Sequence, residues 1–261
     1  MRTVRQPAVA GLFYPGDSRQ LHAAVQAYLA ESHSTGTVPK ALVAPHAGYI
    51  YSAPIAATAY SRLAVARDSI NRVVLLGPSH RVGFQGLAVS SADAFVTPLG
   101  EVPLDRTAIA RLAELPFVRV LDEAHLYEHS LEVHLPFLQE VLAAFVLTPI
   151  VVGDAEPDQV AQALDSVWGG AETLIVVSSD LSHYHDYATA RRMDAATSQA
   201  IESLRPEDID YEQACGRLPV AGLLQAARSH GLKAKTIDLR NSGDTAGDKN
   251  RVVGYGAYVF E

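Results

Sequence analysis

Short apolar runs alternate with longer amphipathic stretches along this chain. Residues 40–45 (KALVAP), 72–78 (RVVLLGP), 145–153, 173–179 (TLIVVSS), 235–240 (KTIDLR) and 252–260 are rich in Val, Ile and Leu. Runs of this length read as strands buried in an α/β sheet. Residues 86–90 and 94–96 read as two shorter strands. Between them the period lengthens to that of helices. Asp17 is an N-cap with Gln20 at the capping-box position, and a helix runs to about Ser32 with Leu21, Val25 and Leu29 on one face. Residues 34–39 form a turn. An alanine-rich helix is predicted at 54–63, and another at 105–115, stopped by Pro116. The polar stretch 122–132 leads into an apolar helix ending near Ala144, with Pro136 marking a kink or restart. Residues 154–157 open a helix ending near Gly169, residues 188–204 form a long helix, and Pro219 begins a helix ending near Gly231. Pro7, Gly11, Pro15 and Gly16 punctuate an ordered entry segment.

Strand then helix, repeated, with neighbouring strands near the C-terminus, predicts a three-layer α/β/α sandwich with a central mixed sheet. Residues 1–261 show no repeat and no linker, so a single domain is expected. No G-x-G-x-x-G or Walker loop is present, so nucleotide binding has no support.

Four of these strands run into polar residues. The first reaches His46, the second Ser79-His80, the third Asp180-Leu-Ser-His183 and the fourth Asn241-Ser-Gly-Asp244. Ligands of α/β sheets collect beyond the carboxyl ends of the strands. Imidazole and carboxylate together are the usual donors to a transition metal. Pro45 and Gly48 hold His46 on a bend, and Gly77 and Pro78 do the same for His80. Each alone also reads as a hydrogen-bonded loop histidine. Asp180 and His183 lie three apart, close enough for the carboxylate to fix the imidazole tautomer, which makes His183 a third ligand or a general base. The plainer role for Asp180 is helix capping.

Composition narrows the class. At 48% hydrophobic the chain buries a full core, and its formal net charge of −8 lacks the basic field that nucleic acid or an anionic membrane requires. A single cysteine, Cys215, fits a reducing compartment. No apolar run approaches the roughly 18 residues of a membrane span. The N-terminal residues do not read as a signal peptide. A soluble cytoplasmic protein is expected.

Other groups carry weaker signals. His125-Leu-Tyr-Glu-His129 spells H-x-x-E-H, the inverzincin zinc string. Read as a helix, it puts residues 125, 128, 129 and 132 on one face, which makes them a pocket wall rather than a protease centre. His134 lies among apolar residues as a satisfied core histidine. His22, His33 and His230 sit in surface contexts. Cys215 has no base nearby in sequence and reads as a buried inert thiol. Ser79, Ser179 or Ser182 could serve a Ser-His-Asp hydrolase, but no G-x-S-x-G elbow accompanies them.

Taken together, residues 5–15 (RQPAVAGLFYP), 44–49 (APHAGY), 77–80 (GPSH), 128–137 (EHSLEVHLPF) and 179–184 (SDLSHY) resemble the Memo family, whose microbial members are called AmmeMemoRadiSam system protein B. The resemblance spans nearly the whole chain. It implies a fold like that of class III extradiol dioxygenases and a central cleft lined by His46, His80 and His183, with Asp180 beside them. The animal members are described as copper- or iron-binding redox proteins and as phosphopeptide-binding adaptors. They place a cysteine from the C-terminal region in the cluster, and here Asp244 is the expected counterpart. That implies a metal set of His46, His80, Asp244 or His183. Iron(II) is the expected ion, since carboxylate suits it better than thiolate would, with copper or zinc as alternatives. The microbial name implies a functional link to an AMMECR-type protein and a radical SAM enzyme. The expected activity is that of a metal-dependent oxidoreductase acting on an unidentified small molecule or peptide. The rival readings are a non-catalytic metal- or peptide-binding protein on the same fold and a zinc hydrolase.

Overall fold

The computed structural model describes residues 2–32 and 34–261, so His33, expected at the surface, lies outside the described residues. In chain order the strands are β1 (Val4–Arg5), β2 (Ala41–Ala44), β3 (Arg72–Pro78), β4 (Leu87–Val89), β5 (Ala94–Thr97), β6 (Gly100–Pro103), β7 (Val118–Val120), β8 (Val146–Val152), β9 (Thr173–Ser178), β10 (His183–His185), β11 (Ala234–Asn241) and β12 (Val252–Phe260). The large sheet runs β10-β12-β2-β9-β3-β8-β4-β7, with β11 also paired to β12. A small sheet joins β1, β5 and β6.

The middle of the large sheet is parallel, from β2 through β9 and β3 to β8. Its edges are antiparallel, where β12 meets β2 and β4 meets β8. β2 and β9 are buried at every position, which is why their sequences are continuous apolar runs rather than alternating ones. The helix Tyr49–Tyr60 packs on β2, β11 and β12, with the helices Ser18–Glu31 and Leu135–Val141 against it. The helix Arg217–Ser229 packs on β3, β9 and the helix Pro157–Ser166. Helices thus flank a central mixed sheet, the expected three-layer sandwich.

Two local readings need correction. Pro54 lies inside the Tyr49–Tyr60 helix rather than at its start, because Tyr49, Ser52 and Ala53 of the first turns are packed into the core. The restart at Pro136 holds, but the reading of 125–132 as a helix does not. A short helix, Asp122–Leu126, ends at Tyr127, a 3₁₀ turn spans Glu132–His134, and the helix Leu135–Val141 restarts with Pro136 in its first turn. Residues 125, 128, 129 and 132 therefore share no helical face.

A buried ion pair holds this broken segment in place. The Arg5 guanidinium bonds the Glu132 carboxylate, donates to the Glu128 carbonyl at 2.7 Å and donates through Nε to the His125 carbonyl at 3.0 Å. Glu132 also accepts from the Ala8 and Val9 backbone N–H groups at 2.7 and 3.0 Å and from the Tyr14 hydroxyl at 2.6 Å. The Arg-Gln-Pro-Ala-Val-Ala entry motif and the Glu-His-Ser-Leu-Glu-Val-His motif are thus two halves of one contact. Arg5→Met should strand the Glu132 charge and cost about 3–5 kcal/mol of stability in urea unfolding. Adding Glu132→Gln should recover part of that loss. A cost near that of a surface pair, about 0–1 kcal/mol, would show that the contact does not hold the segment.

Candidate metal centre

The parallel register builds the site. Ala44 lies opposite Ser178, and β9 also neighbours β3. His46 and Asp180 therefore emerge side by side two residues beyond paired positions, and His80 emerges two residues beyond Pro78. The His46 and His80 rings meet edge to face with centroids 5.1 Å apart. The Asp180 carboxylate accepts the His46 backbone N–H at 2.7 Å, and its other oxygen lies 4.0 Å from His46 Nε2.

The third donor is Cys215. Its Sγ lies 3.3 Å from His46 Nε2, and His46, His80 and Cys215 each bring one donor atom within 4.8 Å of the others. The thiol reaches this place from the turn before the Arg217–Ser229 helix. Gly216 makes the approach feasible, because a Cβ there would lie 2.5 Å from the Ser178 carbonyl oxygen. Its N–H donates to Ser179 Oγ at 3.0 Å. The reading of Cys215 as an inert thiol is thus overturned in position, since the thiol stands beside both imidazoles. Only its succession Cys-Gly ahead of a helix-starting proline hinted at a tight approach to the sheet.

Asp244 is placed elsewhere. Its carboxylate accepts the Tyr187 hydroxyl at 2.6 Å and the Asn241 backbone N–H at 3.0 Å, capping the short helix Ser242–Thr245. Among the described residues it joins no metal-capable group. β11 does end at the same sheet edge, but β12 stands between it and β2. At about 4.8 Å per strand, that offset puts its end roughly 10 Å too far out. His183 donates from Nδ1 to the Leu181 carbonyl at 2.7 Å, leaving Nε2 as its unprotonated nitrogen. It lines, with His80 and Cys215, a cavity of about 730 Å³.

His80 is oriented by Glu128, which accepts from its Nδ1 at 2.9 Å and from its backbone N–H at 2.6 Å. His129 stacks on His80 with centroids 4.6 Å apart. His80, Glu128 and His129 form a second metal-capable group, in which Glu128 also accepts the Ser130 N–H at 2.9 Å. His125 turns away and bonds the Ala88 carbonyl at 3.1 Å, so the H-x-x-E-H string builds no two-histidine zinc site. His134 is a satisfied core histidine, bonded to the Tyr60 hydroxyl at 2.8 Å and to Ser178 Oγ at 2.9 Å.

Burial, reinforced by the neighbouring imidazoles, holds His46 well below the usual histidine range. Burial also lowers His129 to about 4 and His134 to about 3. These rings are neutral at pH 7, with lone pairs free for metal or hydrogen bonds. Burial alone would raise Glu128, but the hydrogen bonds from His80 outweigh it and hold the carboxyl at about 2. Burial pushes Asp180 up to about 6 against the His46 N–H bond. Burial, then the Asp180 charge, pushes the Cys215 thiol up. Two imidazoles and a thiol are the donor set of a soft or borderline transition metal, and the residues present fit one.

Fold and site together define a three-layer α/β/α protein with a metal-capable His–His–Cys cluster at the carboxyl ends of its parallel strands. The profile of the Memo-like protein family matches residues 5–259, and the chain belongs to that family. A "MEMO1 family protein" of Aquifex aeolicus is 37% identical over 98% of this chain and 99% of its own length. One from Aeropyrum pernix is 38% identical over 97% and 98%, and one from Methanocaldococcus jannaschii 35% over the whole of both chains. The crystal structure of an uncharacterized protein from Escherichia coli K12 shares the fold, with a TM-score of 0.53 at 12% identity over 84% of this chain and 98% of that one. Among the described residues, no helix is long and apolar enough to cross a membrane.

Asp180 gives the site a stability signature. Its folded pKa, about 6, lies above the ordinary 3.8, so ionising it costs more in the folded state. The cost is absent below about pH 4, grows between about pH 4 and 6, and is complete above about pH 6. Metal-free Asp180→Asn should therefore exceed wild type in stability by about 1–3 kcal/mol at pH 7.5, the order expected for such a shift. That advantage should vanish at pH 4. An advantage equal at both pH values would show that the carboxyl titrates normally.

Proposed function

We propose that this chain is a metal-dependent oxidoreductase of the Memo family, with its ion held by His46, His80 and Cys215. The observation that carries this reading is the convergence of those three donors within 4.8 Å beside a cavity of about 730 Å³. A closed structural site would have four protein donors and no cavity, whereas three donors, two of which (His80 and Cys215) line a cavity, leave room for a reactant.

The donor set bears on the choice of ion. An Asp244 carboxylate engaged by Tyr187 and the Asn241 N–H gives no support to an iron(II) site through that residue. Thiolate and imidazole favour copper(I), with iron and zinc as competitors. When bound, a redox-active ion would supply one-electron chemistry to a reactant in the cavity. The chain supplies the rest. Glu128 orients His80 and raises its basicity. His183 presents an unprotonated Nε2 at the cavity wall, fit to take a proton from a bound hydroxyl. Asp180 holds His46 through its backbone and stands within reach as a second proton acceptor. The zinc hydrolase reading uses the same ligands and predicts no redox turnover.

Metal analysis of the purified protein, paired with oxygen uptake, tests the proposal. Wild type should hold about one copper or iron per chain, with oxygen uptake that depends on it. His46→Ala, His80→Ala and Cys215→Ala should each weaken binding beyond the ~10–100-fold loss that an outer partner causes. Asp244→Asn should bind as wild type does. Zinc at full occupancy with no oxygen uptake would select the hydrolase reading, and tight binding by Cys215→Ala would sink the ligand set.

A further inference from the structure

The His46 ring is held by a hydrogen-bond chain that the metal does not touch. Ser178, the last residue of β9, places its hydroxyl 2.6 Å from His46 Nδ1, 2.9 Å from His134 Nε2 and 2.6 Å from the Ser130 carbonyl oxygen. A hydroxyl has one proton and two lone pairs. The carbonyl oxygen can only accept, so the Ser178 proton goes to Ser130. Both imidazoles must then donate into Ser178 Oγ, His46 through Nδ1–H and His134 through Nε2–H. His134 Nδ1 is left as an acceptor, and the Tyr60 hydroxyl donates to it at 2.8 Å. Burial keeps that phenol protonated. Every proton in the chain has one consistent place, and the chain closes in the core, where Tyr60, His134 and Ser178 are at most 1% exposed.

We infer that Ser178, His134 and Tyr60 are positioning residues that lock His46 in the Nδ1–H tautomer, so that its Nε2 lone pair faces Cys215 and the metal position. The lock differs from the one on His80. There the partner is an ionised carboxylate, which sets the tautomer and pushes electron density into the ring. Here it is a neutral hydroxyl whose own proton is committed elsewhere, so it sets the tautomer with less push. His134, a plain core histidine by its surroundings, gains a role: its N–H fills the second Ser178 lone pair and prevents the hydroxyl from rotating to donate to His46. Ser130 ties the two locks together. Its N–H supports Glu128 and its carbonyl takes the Ser178 proton. Its hydroxyl donates to the Pro78 carbonyl at 2.9 Å, an approach open because Gly77 has no side chain.

The inference rests on the His46 ligand reading for its use, but the tautomer itself is read without metal. Two-bond ¹H–¹⁵N correlation spectra of metal-free, ¹⁵N-histidine-labelled protein at pH 7.5 assign the protonated nitrogen of each ring. Wild type should show Nδ1–H for His46 and Nε2–H for His134. Ser178→Ala should lose the pure His46 signature and bind copper(I) about 10–100-fold more weakly, the usual loss for an outer partner. Tyr60→Phe should leave His134 protonated on Nε2 but shift its Nδ1 resonance, which loses the phenol's hydrogen bond, and weaken copper(I) less than Ser178→Ala does. A merely structural role would lower the melting temperature and leave both signatures in place. An Nε2–H tautomer for wild-type His46, or an unmoved His134 Nδ1 resonance in Tyr60→Phe, overturns the inference even if Ser178→Ala fails to fold. The expected tautomers in a protein that binds no copper, iron or zinc would uphold the lock and defeat the metal reading instead.

Discussion

The site depends first on the buried pair of Arg5 and Glu132. Both charges are out of water, which is costly unless every remaining lone pair and proton is used. The guanidinium also donates to two carbonyls and lies over the Phe95 ring, and the carboxylate takes two backbone N–H groups and a hydroxyl besides the guanidinium. The segment so held is not a regular helix. Its backbone groups lack ladder partners, and an Arg side chain supplies them. That irregular path sends Glu128 to His80, His129 against the His46 and His80 rings and His134 to Ser178. A continuous helix from 122 to 141 would have turned those side chains to fixed helical intervals, and no such interval serves three separate partners.

The parallel core supplies what the irregular segment cannot. Strand register fixes His46 and Asp180 relative to each other without any loop being long, since each lies two residues beyond a paired position. The support on the open side comes from Gly216, which brings the Cys215 turn against the end of β9. Sheet, pinned segment and turn each contribute one wall, so the three donors come from elements far apart in sequence.

This division explains what was legible in the chain. Strand-end signals were strong, because buried parallel strands are continuous apolar runs and their termini carry Gly and Pro. They led to His46, His80 and Asp180. The same reasoning misplaced Asp244, because a sequence shows where a strand ends but not how many strands separate it from the centre. Cys215 was missed for the converse reason: it lies on no strand end, and its nearness to His46 is purely tertiary. Ser178 and His134 read as ordinary core residues, and their roles depend on a shared proton that no pattern in the sequence displays.

The charge states close the argument. Without metal, burial holds the Cys215 thiol protonated and the His46 imidazole neutral, so these two donors carry no charge of their own. Glu128 stands behind His80 as a permanent anion, and Asp180 stands beside His46 near its own midpoint. Binding a cation requires the thiol proton to leave. A cation held there would meet the Cys215 thiolate, with the Asp180 carboxylate beside His46 and the Glu128 carboxylate bonded to His80 Nδ1. The empty site thus bears the cost of an ionised, buried Asp180 carboxylate, which a bound cation would offset.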